Sequence, residues 1–243
     1  MDKGVLLVLS DVVDTARHQE VDRWYGKVHL PSASRAPGVV RAQRFTNARP
    51  QMGPAQYLTF YELRAGDIAK AAKALGGATA KAAPPKPDGE REVGRHLYRW
   101  IDPKAYQPMG EVDYPSRGGP GLASRPKPGG WTPLVKTLPH AVYLVMSNCK
   151  DPAREEEFNR WYSQVHVPDL TPAKGVVGGE RYRNVDPSNA PSTYVAVYEF
   201  AHPDLAASMA DFQRLGTWTA ERRIIDVMQT VGMHLFLEVD ALA

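Results

Sequence analysis

Cysteine is almost absent from this chain of 243 residues, since Cys149 is the only one. A single cysteine forms neither a disulfide framework nor a metal site built from several thiolates. Long hydrophobic runs are missing as well: the apolar stretch at 5–9 is too short for a signal-peptide core or a membrane span, and Asp11 and Asp14 follow it directly. We therefore expect a cytoplasmic protein that does not depend on disulfides.

An excess of one charge sign is also missing. The chain has 30 lysines and arginines against 27 aspartates and glutamates, which gives a net charge of +3. That balance is too even for the basic surface that binds nucleic acid. The motifs GxGxxG, GxSxG and HExxH do not occur either, so dinucleotide, serine-hydrolase and zincin chemistry lack their sequence signatures. We expect neither nucleic acid nor a membrane as a partner, and no cofactor or metal.

The chain contains an internal repeat. Residues 5–63 align without a gap with residues 142–200, and 25 of these 59 positions are identical. The helix of the first copy includes RWYGKVHLP, and that of the second includes RWYSQVHVP. A repeat of this length predicts two copies of one structural unit. We place the copies at 1–102 and 139–243, and we interpret the Pro/Gly-rich stretch at 103–138 as a linker.

Hydrophobic periodicity predicts the same six elements in each copy, in the order strand, helix, strand, strand, helix, strand. Such a βαββαβ unit forms a four-stranded antiparallel sheet with both helices on one face. The bare face needs a cover, which a second sheet packed face to face would provide. The expected fold class is therefore α+β, with two ferredoxin-like repeats whose antiparallel sheets pack as a dimeric-type α/β barrel. The sequence is compatible with closure within one chain and with closure in a homodimer.

A histidine ends the first predicted helix of each copy. Pro31 and Pro168 are expected to stop these helices just beyond His29 and His166, because proline cannot continue the hydrogen-bond ladder. A histidine at this point either transfers protons in catalysis or caps the last carbonyls of the helix. Asp169 follows His166 by three residues and has no acidic counterpart in the first copy. It either assists His166 or is a solvated loop carboxylate.

The repeated motifs resemble a known group of proteins. The WY-x-x-VH-x-P ending of the first helix, the Arg-Phe or Arg-Tyr pair of the second strand and the YEL or YEF of the third strand resemble dimeric α/β-barrel proteins of the EthD-like group, here as a tandem fusion. Relatives of that fold include isomerases, cyclases, decarboxylases, cofactor-free monooxygenases and haem-handling proteins, so the resemblance implies a fold more strongly than a reaction. It also implies a mechanistic role for the helix-end histidines.

Strand alternation predicts which side chains line the barrel. Leu58 and Phe60 form an apolar face suited to the helices, and this turns Tyr57, Thr59 and Tyr61 toward the lumen. The result is an aromatic cavity with a few hydrogen-bonding groups, which is typical of a pocket for a small oxygenated organic molecule. The expected substrate-binding residues are Tyr57, Tyr61, Tyr194, Arg44, Arg181, His96, Tyr98, His234 and Phe236.

Some of these residues have a structural alternative. Arg44 and Arg181 could form ion pairs with Glu62 and Glu199 across the sheet instead of binding a substrate carboxylate. The two histidines of the last strands, at 96 and 234, could equally be packed walls of the cavity. The sequence favours the ion pairs for the arginines and leaves the histidines open.

The leading hypothesis is a cofactor-independent enzyme that moves protons on a small hydrophobic or aromatic oxygenated substrate, as a lyase, isomerase or cyclase. His166 would take and return the proton, and Tyr198 would donate a hydrogen bond to an enolate or carbonyl oxygen. Asp169 and His29 are further candidates. A cofactor-free monooxygenase and a haem-binding protein are alternatives within the same fold, and a non-catalytic small-molecule-binding protein is an alternative of another class.

Overall fold

The structure, a computed structural model, describes residues 1–81, 84–105, 140–222 and 225–239. Apart from 103–105, the expected linker at 103–138 lies outside the described residues. The strands are β1 (Asp2–Val12), β2 (Val39–Asn47), β3 (Tyr57–Ala65), β4 (Glu90–Trp100), β5 (His140–Cys149), β6 (Val176–Asn184), β7 (Tyr194–Ala201) and β8 (Met228–Glu238). The α-helices are α1 (His18–Trp24), α2 (Leu30–Ala33), α3 (Ile68–Ala80), α4 (Glu155–Trp161), α5 (Val167–Leu170) and α6 (Leu205–Arg222).

The expected α+β class with an antiparallel sheet is confirmed. The strands follow one hydrogen-bonded order, β1-β3-β2-β8-β5-β7-β6-β4, and β4 also pairs with β1. The strands of the first copy are therefore in the order β4-β1-β3-β2, and those of the second are in the equivalent order β8-β5-β7-β6. The similarity between the copies thus extends from the residues to the order of the strands.

The chain divides into two compact units, which differ slightly from the two sequence copies. The first unit contains Met1–Trp100, Tyr182–Pro191 and His234–Ala243, and the second contains Ile101–Arg181 and Ser192–Met233. In the first unit β1 pairs with β3 and β4, the end of β6 pairs with β4, and the end of β8 pairs with β2. In the second unit β5 pairs with β7. The strands β6 and β8 each begin in the second unit and end in the first.

The first helical segment of each copy begins with a side-chain cap at the aspartate that the sequence suggests. Asp14 and Asp151 accept hydrogen bonds from the backbone N–H groups of Ala16 and Ala153, at 3.1 and 2.9 Å. These contacts satisfy first-turn donors that have no partner within the helix. Within the described residues no helix combines the length and the apolar character needed to cross a bilayer.

The helices of the first unit cover one face of its sheet. Leu6 of β1 and Tyr61 and Leu63 of β3 form a buried cluster with Ile68 and Leu75 of α3. Leu6 pairs directly with Tyr61 in the register of β1 and β3, so both side chains point to the same face. The tyrosines of β3 therefore face the helices.

Candidate active site

The structure corrects the predicted orientation of the third strand in each copy. Tyr57 and Tyr61 were expected in the lumen, but their hydroxyls contact histidines of the helical run, whereas Leu58 and Phe60 lie on the opposite face and are fully buried. The physical reason is the pairing of polar groups, because the helical run supplies the partners that buried hydroxyls require. Tyr194, the counterpart of Tyr57, also faces its helix. The candidate site is thus the layer between the first helix and the sheet in each unit.

The structure also corrects the predicted helix ends. The helices do not stop at Pro31 and Pro168, which occupy the first turns of α2 and α5. Between α1 and α2 the chain forms a π-helical segment, Tyr25–His29, and the N–H of Leu30 donates to the carbonyl of Tyr25 five residues earlier. The second copy repeats this segment as Tyr162–His166. A wider turn just before the proline avoids the α-helical bond that proline cannot make, and such segments are frequent at functional sites.

In the first unit His29 ends the π-helical segment and binds a tyrosine of the sheet. His29 Nε2 lies 2.6 Å from the Tyr61 hydroxyl oxygen. Burial lowers the pKa of His29 to about 4, and the opposing effect of Glu90 does not reverse this shift. Burial also raises the pKa of Tyr61. At neutral pH the pair therefore consists of a neutral imidazole and a protonated phenol.

A buried ionic network surrounds this pair. The carboxylate of Glu90 accepts hydrogen bonds from Ser10 at 2.6 Å, Tyr25 at 3.0 Å and Arg44 at 3.0 Å, and Lys86 Nζ lies 2.8 Å from it. Burial raises the pKa of Glu90, but Arg44, Lys86 and Ser10 together hold it below its usual value. The side chain of Glu90 is 0% exposed, so the centre of the network lies in the interior of the first unit.

Arg44 links this network to the helix and to two aromatic rings. Its Nε lies 3.2 Å from the Asp22 carboxylate, and its guanidinium carbon lies 3.7 Å from the ring centre of Tyr25 and 4.0 Å from that of Tyr57. The expectation of an ion pair was therefore right in kind but wrong in partner, because Glu62 instead contacts Arg41 and Arg64. The strand register explains the error, because Arg44 pairs with Thr59, whereas Glu62 lies three residues further along β3, on the opposite face.

The second unit places the same residue types in the same layer but with different partners. Arg181 NH1 donates to the backbone and side-chain oxygens of Asn159, at 3.2 and 3.0 Å, and approaches Ser163 Oγ at 3.3 Å. Its guanidinium carbon lies 4.1 Å from the ring centre of Tyr162. The Tyr194 hydroxyl accepts from Asn159 and donates to Glu155 at 2.6 Å. Neutral Asn159 stands at the position of Asp22 in the first copy.

Several buried polar atoms of the second unit have no hydrogen-bond partner in the described part of the chain, and three of them belong to the candidate site. They are His166 Nδ1 and the hydroxyls of Tyr162 and Tyr198, each with an accessible area below 1 Å². The His166 ring stacks on Trp161, with ring centres 5.0 Å apart, and meets the edge of Tyr162 at 4.8 Å. Buried polar atoms almost always have hydrogen-bond partners, so the unpaired atoms of this layer require a physical explanation.

The electrostatics of these groups follow from their burial. Burial, together with Arg181, lowers the pKa of His166 to about 3. Burial raises the pKa of Tyr162 to about 12, against the opposing effect of Arg181. Burial and the adjacent Tyr162 raise the pKa of Tyr198 well above its usual value. At neutral pH the imidazole is neutral and both phenols keep their protons.

Asp169 does not hold the His166 ring. It lies on α5 and is 8% exposed, so it is a buried side chain rather than the solvated loop carboxylate that the sequence also allowed. The Nδ1 of His166, however, has no partner among the residues that the structure describes. The structure therefore brings His166 and Tyr198 into one layer, without a hydrogen bond from that nitrogen to Asp169.

The remaining predicted residues lie on or near the last strand of each copy. Tyr98 and Phe236 are fully buried. His96 is half-buried and lines a cleft at the surface of the first unit. His234 is half-buried, and burial lowers its pKa. Within the described ranges no group of three or more histidine, cysteine or acidic side chains is arranged to hold a metal ion.

Sequence reasoning missed several residues of the layer. His18, Asp22, Tyr25 and Glu90 were not candidates, and neither was Tyr162. A signal was present, because Tyr25 and Tyr162 belong to the repeated WY motif, while His18 and Asp22 change to Glu155 and Asn159 within an otherwise similar helix. Polar residues that differ between two copies of one buried layer indicate where the copies have diverged in chemistry.

Comparison with known proteins identifies the fold but no family. No family model matches the chain, and no curated protein matches it in sequence. Among solved structures, a mutant chlorite dismutase from Candidatus Nitrospira defluvii is similar with a TM-score of 0.54 and 12% identity, over 98% of this chain and 92% of that one. A second structure, assigned as a chlorite dismutase, has a TM-score of 0.53 and 13% identity, over 99% of this chain and 96% of that one. These similarities show that the chain has the same α+β fold as the chlorite dismutase structures.

Proposed function

We propose that the chain is a tandem fusion of two ferredoxin-like copies of the EthD-like group, at 1–102 and 139–243, and a cytoplasmic enzyme. It catalyses proton transfer on a small hydrophobic or aromatic oxygenated substrate without a cofactor, as a lyase, isomerase or cyclase. The second copy carries the reaction, and the first copy stabilises the fold. The dimeric-type α/β barrel and its closure, within one chain or in a homodimer, belong to the same proposal.

One difference between the copies supports this assignment. In the first copy Tyr61 binds Nε2 of His29, and Tyr25 binds Glu90, so both tyrosine hydroxyls are already engaged. The Nδ1 atoms of His29 and His166 both lack a partner among the described residues, but only in the second copy do the hydroxyls of the two tyrosines of the layer also lack one. A small substrate that enters between the helix and the sheet, with movement of the packed side chains, would satisfy these buried groups. The second copy therefore offers one proton acceptor and two donors within one layer.

The proposed step is the removal of a proton from a carbon next to a carbonyl group. In its Nε2–H tautomer, neutral His166 carries a lone pair on Nδ1, which takes the proton. The electrons of the broken C–H bond form a carbon–carbon double bond, and the carbonyl π electrons move to the oxygen. The hydroxyls of Tyr162 and Tyr198 stay protonated and donate hydrogen bonds to this oxyanion. Return of the proton to the same or another carbon completes an exchange or an isomerisation.

The low pKa of His166 limits when it can act. An imidazole with a pKa of about 3 is a weak base in the empty site. A substrate oxyanion forming beside it would stabilise the imidazolium, since an opposite charge within a few ångströms favours the charged form. Arg181, which lies against Tyr162, also favours the oxyanion. Proton transfer is thus coupled to the arrival of the substrate. Asp169 could serve as a second proton carrier.

Haem does not fit the residues around this histidine as they are packed. Trp161 stacks on the His166 ring, and Phe158, Tyr162 and Tyr198 are each completely buried in the same layer. A porphyrin inserted between the helix and the sheet would have to displace these rings, which are close-packed like the rest of a protein interior. We therefore expect no Soret band after incubation of the purified chain with haemin.

The test is the exchange of acidic C–H protons with D₂O, followed by NMR on acetophenone, phenylacetone and ethyl benzoylacetate. The intact chain should accelerate exchange on at least one of them. His166→Gln should lose about a hundredfold of that rate, the usual contribution of a general base. Tyr198→Phe should lose about tenfold, since one of two oxyanion donors remains.

The matched control is His29→Gln, which removes the equivalent histidine of the first copy and should leave the exchange rate within about twofold of the wild-type value. Circular dichroism in the near ultraviolet verifies that each variant is folded. Equal exchange rates for folded His166→Gln and wild type would contradict the proposal. Ligand binding without exchange would support a binding protein, and oxygen uptake with these substrates would support the monooxygenase alternative.

A further inference from the structure

The groups that bind the Glu90 carboxylate in the first copy have counterparts in the second copy. Ser10 and Arg44 donate to one oxygen of Glu90, at 2.6 and 3.0 Å. Tyr25 donates to the other oxygen at 3.0 Å. The repeat aligns these three donors with residues of identical type, which are Ser147, Arg181 and Tyr162. The second copy therefore repeats the donors that hold a buried carboxylate.

The carboxylate itself has no counterpart in the second copy. β4 begins at Glu90, whereas β8 begins at Met228. The two positions are equivalent in the structure, because the residue before each one, Gly89 or Val227, accepts a backbone hydrogen bond at 2.8 Å from the residue that follows the first strand of its copy. An apolar residue thus occupies the strand position at which the first copy has its buried anion.

Two of the repeated donors show the consequence of this replacement. Ser147 is 1% exposed, and Tyr162 is completely buried. Neither hydroxyl has a hydrogen-bond partner within the residues that the structure describes, although both counterparts in the first copy donate to Glu90. A buried hydroxyl without a partner costs free energy, so this arrangement favours an acceptor that a bound molecule supplies.

The first copy also shows which kind of acceptor suits these groups. The serine and the arginine bind one oxygen of the Glu90 carboxylate, and the tyrosine binds the other. Arg181 keeps the stacking of its counterpart, because its guanidinium carbon lies 4.1 Å from the ring centre of Tyr162 and the equivalent distance in the first copy is 3.7 Å. The acceptor that fits is a pair of oxygens that share one negative charge.

The position of the missing carboxylate lies close to the surface. In the first copy the Glu90 carboxylate is 2.8 Å from Lys86 Nζ, and the Lys86 side chain is 39% exposed. In the second copy Met228 is half-buried, and its unbranched side chain is flexible. Movement of this side chain would admit an anion to the unpaired donors.

We propose that the second copy binds a 1,3-dicarbonyl substrate and that Ser147 is a donor to its enolate. This inference rests on the proton removal proposed above. The negative charge of such an enolate is shared by two carbonyl oxygens, as it is in a carboxylate. One oxygen accepts from Ser147 and lies against the Arg181 guanidinium, and the other accepts from Tyr162 and the adjacent Tyr198. Met228 determines this specificity, because a carboxylate at its position would occupy the donors.

Calorimetric titration of the intact chain with benzoylacetone, a 1,3-diketone, tests the ligand class. Butyrophenone, which has a single carbonyl group, is the matched ligand. Benzoylacetone should bind at least about tenfold more tightly, and the ultraviolet spectrum of the bound diketone should be that of its enolate. Equal affinities, or the absence of benzoylacetone binding, would overturn the inference.

Ser147→Ala tests the new donor. It should weaken benzoylacetone binding and slow deuterium exchange on ethyl benzoylacetate, itself a 1,3-dicarbonyl compound, by about tenfold each. Its urea midpoint should not fall, because the removed hydroxyl makes no hydrogen bond with the described residues. The matched control is Ser10→Ala, which should keep binding and exchange within about twofold but unfold at a lower urea concentration, because it removes a donor to Glu90. Wild-type binding by folded Ser147→Ala would contradict the assignment.

Met228→Glu tests the specificity. It should abolish both benzoylacetone binding and exchange, because the new carboxylate takes the donors, whereas Met228→Leu should retain both within about twofold. The two proposals fail in different ways. Loss of exchange in His166→Gln, with wild-type binding by folded Ser147→Ala and Met228→Glu, would reject the enolate site and leave the proposed reaction standing. Unchanged exchange in His166→Gln, with loss of benzoylacetone binding in the other two variants, would reject the role of the histidine and leave the site standing.

Discussion

Glu90 is the residue on which the polar contacts of the first unit converge. Its buried carboxylate is bound by Ser10, Tyr25, Arg44 and Lys86. Removing one partner of a buried ion pair leaves the other charge uncompensated, which costs more than the pair contributes when intact. No sequence motif marks this residue, because its partners come from four separate segments of the chain.

We predict that Glu90→Gln destabilises the protein by about 3 kcal/mol, since Arg44 would keep its charge in the interior without that carboxylate. Urea unfolding at neutral pH measures the change. Glu92→Gln is the matched control, because Glu92 contacts Arg95 at the surface and should change the stability by no more than about 0.5 kcal/mol. Equal unfolding midpoints for Glu90→Gln and the control would contradict the structural role.

The burial of His29 and His166 predicts that the stability of the protein depends on pH. Burial lowers the pKa of His29 to about 4 and that of His166 to about 3, below the value of about 6.5 for an unfolded chain. The unfolded state therefore binds more protons than the folded state below that pH, and the unfolding free energy should fall as the pH decreases. We expect a loss of about 1 to 2 kcal/mol per histidine between pH 6.5 and pH 5.

Urea unfolding at several pH values above 5 measures this effect while the carboxylates are still largely ionised. His29→Gln and His166→Gln should each show a weaker pH dependence than the wild type. The imidazole NMR signals of both histidines should not titrate until the pH is well below 5. A midpoint near 6.5 for either signal would refute its neutral state in the fold.

The π-helical segments show where sequence reasoning succeeds and fails at the scale of an element. The order of strands and helices, the caps at Asp14 and Asp151 and the position of both histidines near the end of the run could be predicted, because they depend on local patterns. The continuation of the helical run past Pro31 and Pro168 could not be predicted. A hydrogen bond from an N–H to the carbonyl five residues earlier leaves no periodic pattern in so short a segment.

The orientation of β3 failed for a related reason. Alternation correctly separates Leu58 and Phe60 from Tyr57 and Tyr61. It does not say which set meets the helices, because both faces of this strand are buried. The deciding factor is the set of histidine partners for the tyrosine hydroxyls, and these come from a helix more than thirty residues earlier in the chain. Such contacts depend on tertiary structure and are not encoded in local periodicity.

At the scale of the molecule, the compact units and the sequence copies do not coincide. The unit boundary divides β6 between Arg181 and Tyr182, and β8 between Met233 and His234. Within the first unit, β4 pairs with the end of β6 and β2 pairs with the end of β8. A first copy on its own would therefore lack both outer neighbours and would present two open strand edges.

We predict that a fragment of residues 1–105 associates through the edges of β2 and β4, because unpaired strand edges are templates for pairing. Sedimentation analysis of the purified fragment should show a dimer or larger species, whereas a version with lysines at outward positions of β2 should associate less. A stable, folded monomer of the fragment would indicate that the end segments of β6 and β8 are dispensable.

The π-helical turn also constrains the ancestry of the protein. Because it occurs at the same place in both copies, one insertion of a residue before the duplication explains it more simply than two separate insertions. A single-copy homologue with a regular α-helix here should align with a one-residue gap between the tryptophan and the histidine. That gap would date the insertion, and with it the origin of the wide turn that carries the imidazole, relative to the gene fusion.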